Sequence, residues 1–327
     1  MITIQAYGVN DAYNSALWRM STEGLLDKSR NGAVMRAPTP VITAYSAPVE
    51  RVLFDAKRDA NPFFHFMEGL WMLAGRDDVA SLEKYNSQIG QFSDDGVTLA
   101  GAYGHRWVKH FQLDQITWVI NHLRQVPDSR RAVLQMWDAL IDPYRVDHGG
   151  KDVPCNTTIY FSIRGDTLDM TVCCRSNDII WGCYGANVVH MTMLQEYVAL
   201  MVGKRMGSYY QFSNDWHMYE RHFGLLESKE SSYTEQYPDT YPLLGDHDFP
   251  IPRGHSLATE INEFFDGSST IEPWRYGIIR EVAMNMDAAW KYHKEGNRLG
   301  ALSWCSKIKA ADWRKACTEW IDRRSYK

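Results

Sequence analysis

An α+β fold, with a large mixed β-sheet flanked by helices and a helical appendage at the C-terminal end, is predicted by three observations. Helical periodicity occurs in separated windows, strand-like runs lie between them, and a stretch rich in Pro, Ser and Tyr divides this mixed region from a purely helical tail. In order along the chain, apolar residues recur at helical spacing over about 11 to 26, 62 to 75, 112 to 125 and 187 to 203. Runs of β-branched and aromatic residues, Val133 to Trp137, Thr157 to Ile163, Leu168 to Cys174 and Ser208 to Ser213, read as strands. The stretch from Ser228 to about Pro252 reads as a long irregular connection. Beyond it, about 257 to 265, 276 to 294, 297 to 305 and 309 to 323 read as helices, the last two carrying Trp304, Trp313 and Trp320. We therefore expect a core over 1–226, a connection over 227–256, and a helical appendage over 257–327 packed on the core.

Length and charge narrow the class. At 327 residues the chain slightly exceeds the roughly 250 to 300 residues that one core usually serves, which fits a domain plus an appendage. A net charge of -5 offers no global attraction to nucleic acid or to an anionic membrane, so a small anionic substrate held by local arginines fits better. No apolar run approaches the ~18 residues of a membrane span, and the first residues lack a signal-like pattern, which leads us to expect a soluble cytoplasmic protein. The six cysteines form no Cys-x-x-Cys pair and meet no His at zinc-finger spacing, so neither a disulfide framework nor a metal site is indicated.

The chemistry centres on Cys155, in Val153-Pro154-Cys155-Asn156-Thr157-Thr158, followed by Arg175-Ser176-Asn177-Asp178, Gly182 and Asn187. A thiolate is the reactive form of cysteine, and a nearby Arg175 would favour it; a buried, inert cysteine is the bland alternative. The neighbouring blocks favour function. Ser29-Arg30-Asn31-Gly32, His65 to Gly75, Ala102-Tyr103-Gly104-His105-Arg106-Trp107, Pro127-Asp128-Ser129-Arg130-Arg131, Pro154-Cys155, Arg175-Ser176-Asn177-Asp178 and His217-Met218-Tyr219 occur in the order found in the thymidylate synthase superfamily, which the chain resembles over most of residues 15 to 225.

That resemblance implies a thymidylate synthase-like fold and transfer of a one-carbon unit from 5,10-methylenetetrahydrofolate to C5 of a pyrimidine deoxynucleoside monophosphate. Cys155 would be the nucleophile that adds to C6, and Glu68, Tyr103 and Asp178 would serve the acid-base and water network. Arg30, Arg175 and Ser176 match phosphate-binding positions. Arg130 and Arg131 match a pair that reaches the neighbouring site of a homodimer, and His217 and Tyr219 match the ligands of the sugar hydroxyl. An Asn amide can donate to uracil O4 and accept from N3–H, whereas Asp suits cytosine. Four residues beyond Gly182 stands Ala186, which does neither; five beyond stands Asn187, so the resemblance assigns base reading to Asn187 across one inserted residue between Gly182 and Ala186.

Departures separate the branches of the superfamily. The place where synthases carry a folate-clamping Trp is near Ile89, and the chain ends Arg323-Arg324-Ser325-Tyr326-Lys327 instead of in a short apolar closing tail. Asn156 follows the nucleophile where synthases have His, and Cys174 replaces Gln ahead of Arg175; the hydroxymethylases resemble the chain better at these segments. Hydroxymethylation of dUMP is the expectation. Methylation of dUMP, reaction of dCMP, and a catalytically silent nucleotide-binding relative stand as alternatives.

Overall fold

The computed structural model describes residues 1–226, 257–267 and 277–326. The expected connection over 227–256, like position 276 at the start of one expected helix, lies outside the described residues.

Eight strands form one sheet: β1 (Ile2–Ala6), β2 (Leu25–Ser29), β3 (Gly32–Arg36), β4 (Val41–Tyr45), β5 (Val133–Gln135), β6 (Asn156–Arg164), β7 (Thr167–Asp178) and β8 (Arg205–Tyr219). Their order is β1-β4-β8-β7-β6-β5, with the β2–β3 hairpin joined through β3 to the far end of β8. The pairs β1/β4 and β7/β8 are parallel and the others antiparallel, so the expected mixed sheet is present. At 15 residues, β8 is long enough to pair with β4 over one half and with β3 over the other.

The helices are α1 (Val9–Glu23), α2 (Pro62–Leu73), α3 (Val79–Glu83), α4 (Tyr103–His105), α5 (Gln115–Gln125), α6 (Asp142–Asp147), α7 (Asn187–Met201), α8 (Leu257–Phe265), α9 (Met284–Lys294), α10 (Arg298–Cys305) and α11 (Ala311–Asp322). α1 and α7 lie on the sheet, and α2 lies on α7. α2 starts sharply because the Asn61 side chain accepts the Phe64 N–H at 3.1 Å and Pro62 needs no N–H partner at the first turn. Every residue of α2 except Glu68 is buried, as an almost wholly apolar helix requires. Its far side meets the C-terminal helices: Phe63 packs on Trp290 and Trp320 with ring centroids 5.4 and 5.7 Å apart, and Phe66 packs on Trp313 at 5.0 Å. Such aromatic pairs contribute ~0.5–1.5 kcal/mol each beyond their burial.

Two local features position the site. The chain between β7 and α7 is a π-helix, Ile179–Ala186, which runs straight into α7. A π segment carries about one residue more per turn than an α-helix, so residues 182–186 lie inside a continuous helix that leads into Asn187. Arg106 is buried with Asp142, donating to its two carboxylate oxygens at 2.7 and 2.8 Å and to the Ala100 and Met136 carbonyls, which ties the loop after α4 to the strand before Cys155.

Candidate active site

Strand register builds the site at one end of β7. Antiparallel pairing sets Asn156 opposite Cys174, which brings Cys155 to Arg175: the Arg175 N–H donates to the Cys155 carbonyl at 2.9 Å. Parallel pairing sets Ser176 beside Asp215 and Asp178 beside His217. Residues from three distant parts of the chain thus converge where β6, β7 and β8 end together.

Arg175 also staples the loop that carries Cys155. Its Nε donates to the Pro154 carbonyl at 2.9 Å and one Nη to the Val153 carbonyl at 3.0 Å, while its guanidinium lies 5.8 Å from the Trp137 ring. Burial pushes the Cys155 thiol above its ordinary value; the Arg175 charge opposes this, Asp152 adds to it, and Arg30 opposes it. Burial outweighs Arg175, which pulls toward the thiolate as expected, so the resting side chain is a thiol. Tyr103 accepts the Asn156 N–H at 3.2 Å, and burial raises its phenol well above the usual range, leaving a protonated hydroxyl beside Cys155.

Asn187, the first residue of α7, is 6% exposed and sits in a chain of amides. Asn156 donates to its Oδ1 at 3.1 Å, its Nδ2 donates to the Asn177 Oδ1 at 3.1 Å, and Asn177 donates to the Ser213 hydroxyl at 2.9 Å. One hydrogen and one lone pair of the Asn187 amide remain, the pair that a uracil edge needs. A Cβ on Gly182 would stand 2.9 Å from Asn177 Oδ1 and 3.1 Å from Asn187 Nδ2, so the glycine leaves room for this contact.

Glu68 has the partner that an apolar helix demands. The Nε2 of His190 lies 2.9 Å from its Oε2, with side-chain exposures of 2% and 12%. The contact is close but not aligned as a hydrogen bond: neither ring nitrogen of His190, nor Glu68 Oε2, has an aligned partner among the described residues. Gly69 lets α2 and α7 approach here, since a Cβ on it would meet Met193 Sδ at 2.5 Å.

Asp178 caps the π-helix by accepting the Ile180 N–H at 2.9 Å. Arg58, whose Nε donates to the Ile180 carbonyl at 2.8 Å, stacks 5.5 Å from Trp181, and its charge and that of Asp178 act on each other. His217 contacts Asp215 through Nδ1 at 3.1 Å, and Asp215 in turn contacts Arg36 at 3.2 Å; the His217 hydrogen bond is the largest cause holding Asp215 below the usual carboxylate value. Tyr219 packs edge-on to His217 and accepts from Asn31 at 3.4 Å. Arg30 is exposed on the hairpin turn between β2 and β3, where Gly32 takes φ +104°. Arg130 and Arg131 are exposed just ahead of β5, and nothing among the described side-chain contacts joins them to Cys155 of their own chain.

Sequence reasoning passed over His190, Asn177, Asp215, Arg36 and Arg58. His190 carried a usable signal, standing three residues after Asn187 and so on the same helix face. Asp215 carried one too, standing two residues before His217 and so on the same strand face, whereas Arg36 could be found only through the β3/β8 register.

A mixed sheet of this order thus gathers a cysteine, the Arg175 guanidinium and a buried chain of amides at one end of β7. The family profile described as thymidylate synthase matches residues 13–242, and the chain belongs to that family. A deoxyuridylate hydroxymethyltransferase of Pseudomonas phage M6 is 41% identical over 99% of this chain and 95% of its own length. Proteins of the same description from Bacillus phage SP01 and Delftia phage PhiW-14 are 35% and 31% identical, over 69% and 84% of this chain and 63% and 76% of their own lengths.

Proposed function

We propose that the chain hydroxymethylates dUMP at C5, using 5,10-methylenetetrahydrofolate and water. The observation that carries this reading is the joining of the Cys155 segment to Arg175 and, through Asn156, to Asn187, in a family member with a near full-length relative that is a deoxyuridylate hydroxymethyltransferase. Arg30, Arg175 and Ser176 bind the 5′-phosphate, and His217 and Tyr219 hold the sugar hydroxyl. Asn187 donates to O4 and accepts from N3–H, its orientation set by Asn156 and Asn177. Attack by Cys155 on C6 makes C5 nucleophilic; since the thiol is protonated at rest, its proton must leave as the attack proceeds. The folate supplies the one-carbon unit when bound. Asp178 with its carboxylate, Trp181 with an indole 46% exposed, and the Arg58 cation beside it are a donor set that fits such a ring and its anionic tail.

A homodimer completes the reading. Val133, Tyr160, Thr171, Tyr210 and Ala44 stand in register across five strands on the face of the sheet that leaves them incompletely covered, a surface suited to a second copy. Arg130 and Arg131 then reach the partner's phosphate. Among the described residues no helix is long and apolar enough to cross a membrane; we place the activity in a cytoplasm, where deoxynucleotides and reduced folate are made.

The test is incubation with methylenetetrahydrofolate and dUMP or dCMP, with the product identified by mass. A gain of about 30 Da on dUMP is expected from the group added at C5; a gain of about 14 Da would mean methylation, and reaction of dCMP alone would remove Asn187 as a uracil reader.

A further inference from the structure

We infer that His190 is a positioning residue for Glu68 in the step that adds water to the nucleotide, an inference that rests on the hydroxymethylation reading above. The geometry is specific to this crossing of α2 and α7. Gly69 brings the helices together, and the buried imidazole presents Nε2 to the carboxylate at 2.9 Å. The other buried histidine nearby, His65, is held well below its ordinary value by burial, then by Arg58 and His190, and so remains neutral. Polar atoms this deep, without an aligned bond among the described residues, are arranged for a geometry that closes in the complex, as acid-base contacts in free enzymes often are.

In the step concerned, the nucleotide carries an exocyclic methylene at C5 and the Cys155 sulfur at C6. A water oxygen forms a bond to the exocyclic carbon while its proton passes to Glu68. The exocyclic π pair moves into the ring toward the C4 carbonyl, then returns to form C5=C6 and break the C6–S bond, which leaves the thiolate on Cys155. Glu68 must be aimed at the water, and it must hold a proton. His190 supports both, fixing the free oxygen through Nε2 and taking a share of the proton.

The test uses the full-length protein with dUMP, methylenetetrahydrofolate and 2-mercaptoethanol as a nucleophile competing with water. The ratio of hydroxymethyl to thioether product reports the water step alone, and thiol-dependent debromination of 5-bromo-dUMP without folate reports Cys155 attack alone. For His190→Phe the product ratio is expected to fall at least about tenfold, within the range of acid-base effects, while debromination stays within about threefold of wild type. His190→Gln, which keeps a hydrogen-bonding group, is expected to recover part of the ratio and serves if the Phe variant does not fold. An unchanged ratio in both variants, or equal losses in both assays, would overturn the inference and leave His190 as packing. Wild-type protein that makes no hydroxymethyl product would instead sink the functional reading beneath it.

Discussion

Cys155 lies between opposing effects, and its resting state follows from their balance. Burial, the largest influence, raises the thiol, and the Arg175 charge is the strongest pull the other way. Alkylation of Cys155 by iodoacetamide, measured as the difference from Cys155→Ala, should therefore accelerate with pH up to and beyond 9, and Arg175→Ala should slow it at pH 8. A thiol pKa raised by folding also stabilises the native state only while the thiol is protonated, so this contribution is present below the unfolded value and fades as pH rises through the folded one. At the base pocket, Asn187→Asp should move preference from dUMP toward dCMP, since a carboxylate accepts from the N4 amino group and cannot donate to O4. Asn156→Ala should lower the dUMP-to-dCMP ratio of kcat/KM by about tenfold, because the Asn187 amide loses the bond that sets its orientation; an unchanged ratio would show that Asn177 suffices.

Among the elements, α2 and its crossings matter most. Gly104, in α4, lies against α2 so closely that a Cβ would stand 2.0 Å from the Met72 carbonyl oxygen, a backbone atom that cannot swing aside. Gly104→Ala should therefore cost about 1–3 kcal/mol or more and displace Tyr103 next to it, read as a lower melting temperature and a reduced rate together. Much of this layer was legible: the four helices expected before residue 226 and the strands β5 to β7 are found within a few residues of their expected ends, whereas β8 runs six residues past Ser213 to Tyr219. The strands β1 to β4 were not. All four are only five residues long, and β2 and β3 show no clean alternation of buried and exposed residues, although Ile2–Ala6 and Val41–Tyr45 alternate and the β-branched run of the latter should have announced β4.

For the molecule as a whole, the C-terminal helices and the proposed dimer make separable predictions. Trp290, Trp313 and Trp320 cover Phe63 and Phe66 of α2, so a chain cut at residue 256 should be insoluble or molten, seen as loss of cooperative unfolding. This prediction treats 257–327 as part of the folding unit. The C-terminal end also pairs Arg323 and Arg324 with Asp59, adjacent to Arg58. Sharing of sites across a dimer is tested by mixing two inactive proteins, Cys155→Ala and the double variant Arg130→Ala with Arg131→Ala. Random exchange should restore about a quarter of the native sites, because half the dimers are mixed and each holds one complete site. No recovery after verified exchange would mean that the arginines act elsewhere.

By itself the amino-acid sequence determined what is written locally: a cysteine after a proline, an Arg-Ser-Asn-Asp segment, and an Asn five residues beyond Gly182 are chain-neighbour facts, readable without a fold. The helices with their own apolar periodicity were determined the same way. Only the tertiary structure decided who meets whom. The partnership of His190 with Glu68 needs the close crossing at Gly69, that of Asp215 with Arg36 needs the pairing of β3 with β8, and the protonation of Cys155 depends on how much protein surrounds it. These are sums over atoms far apart in the chain, and a hydrophobic or electrostatic environment exists only once those atoms have been brought together.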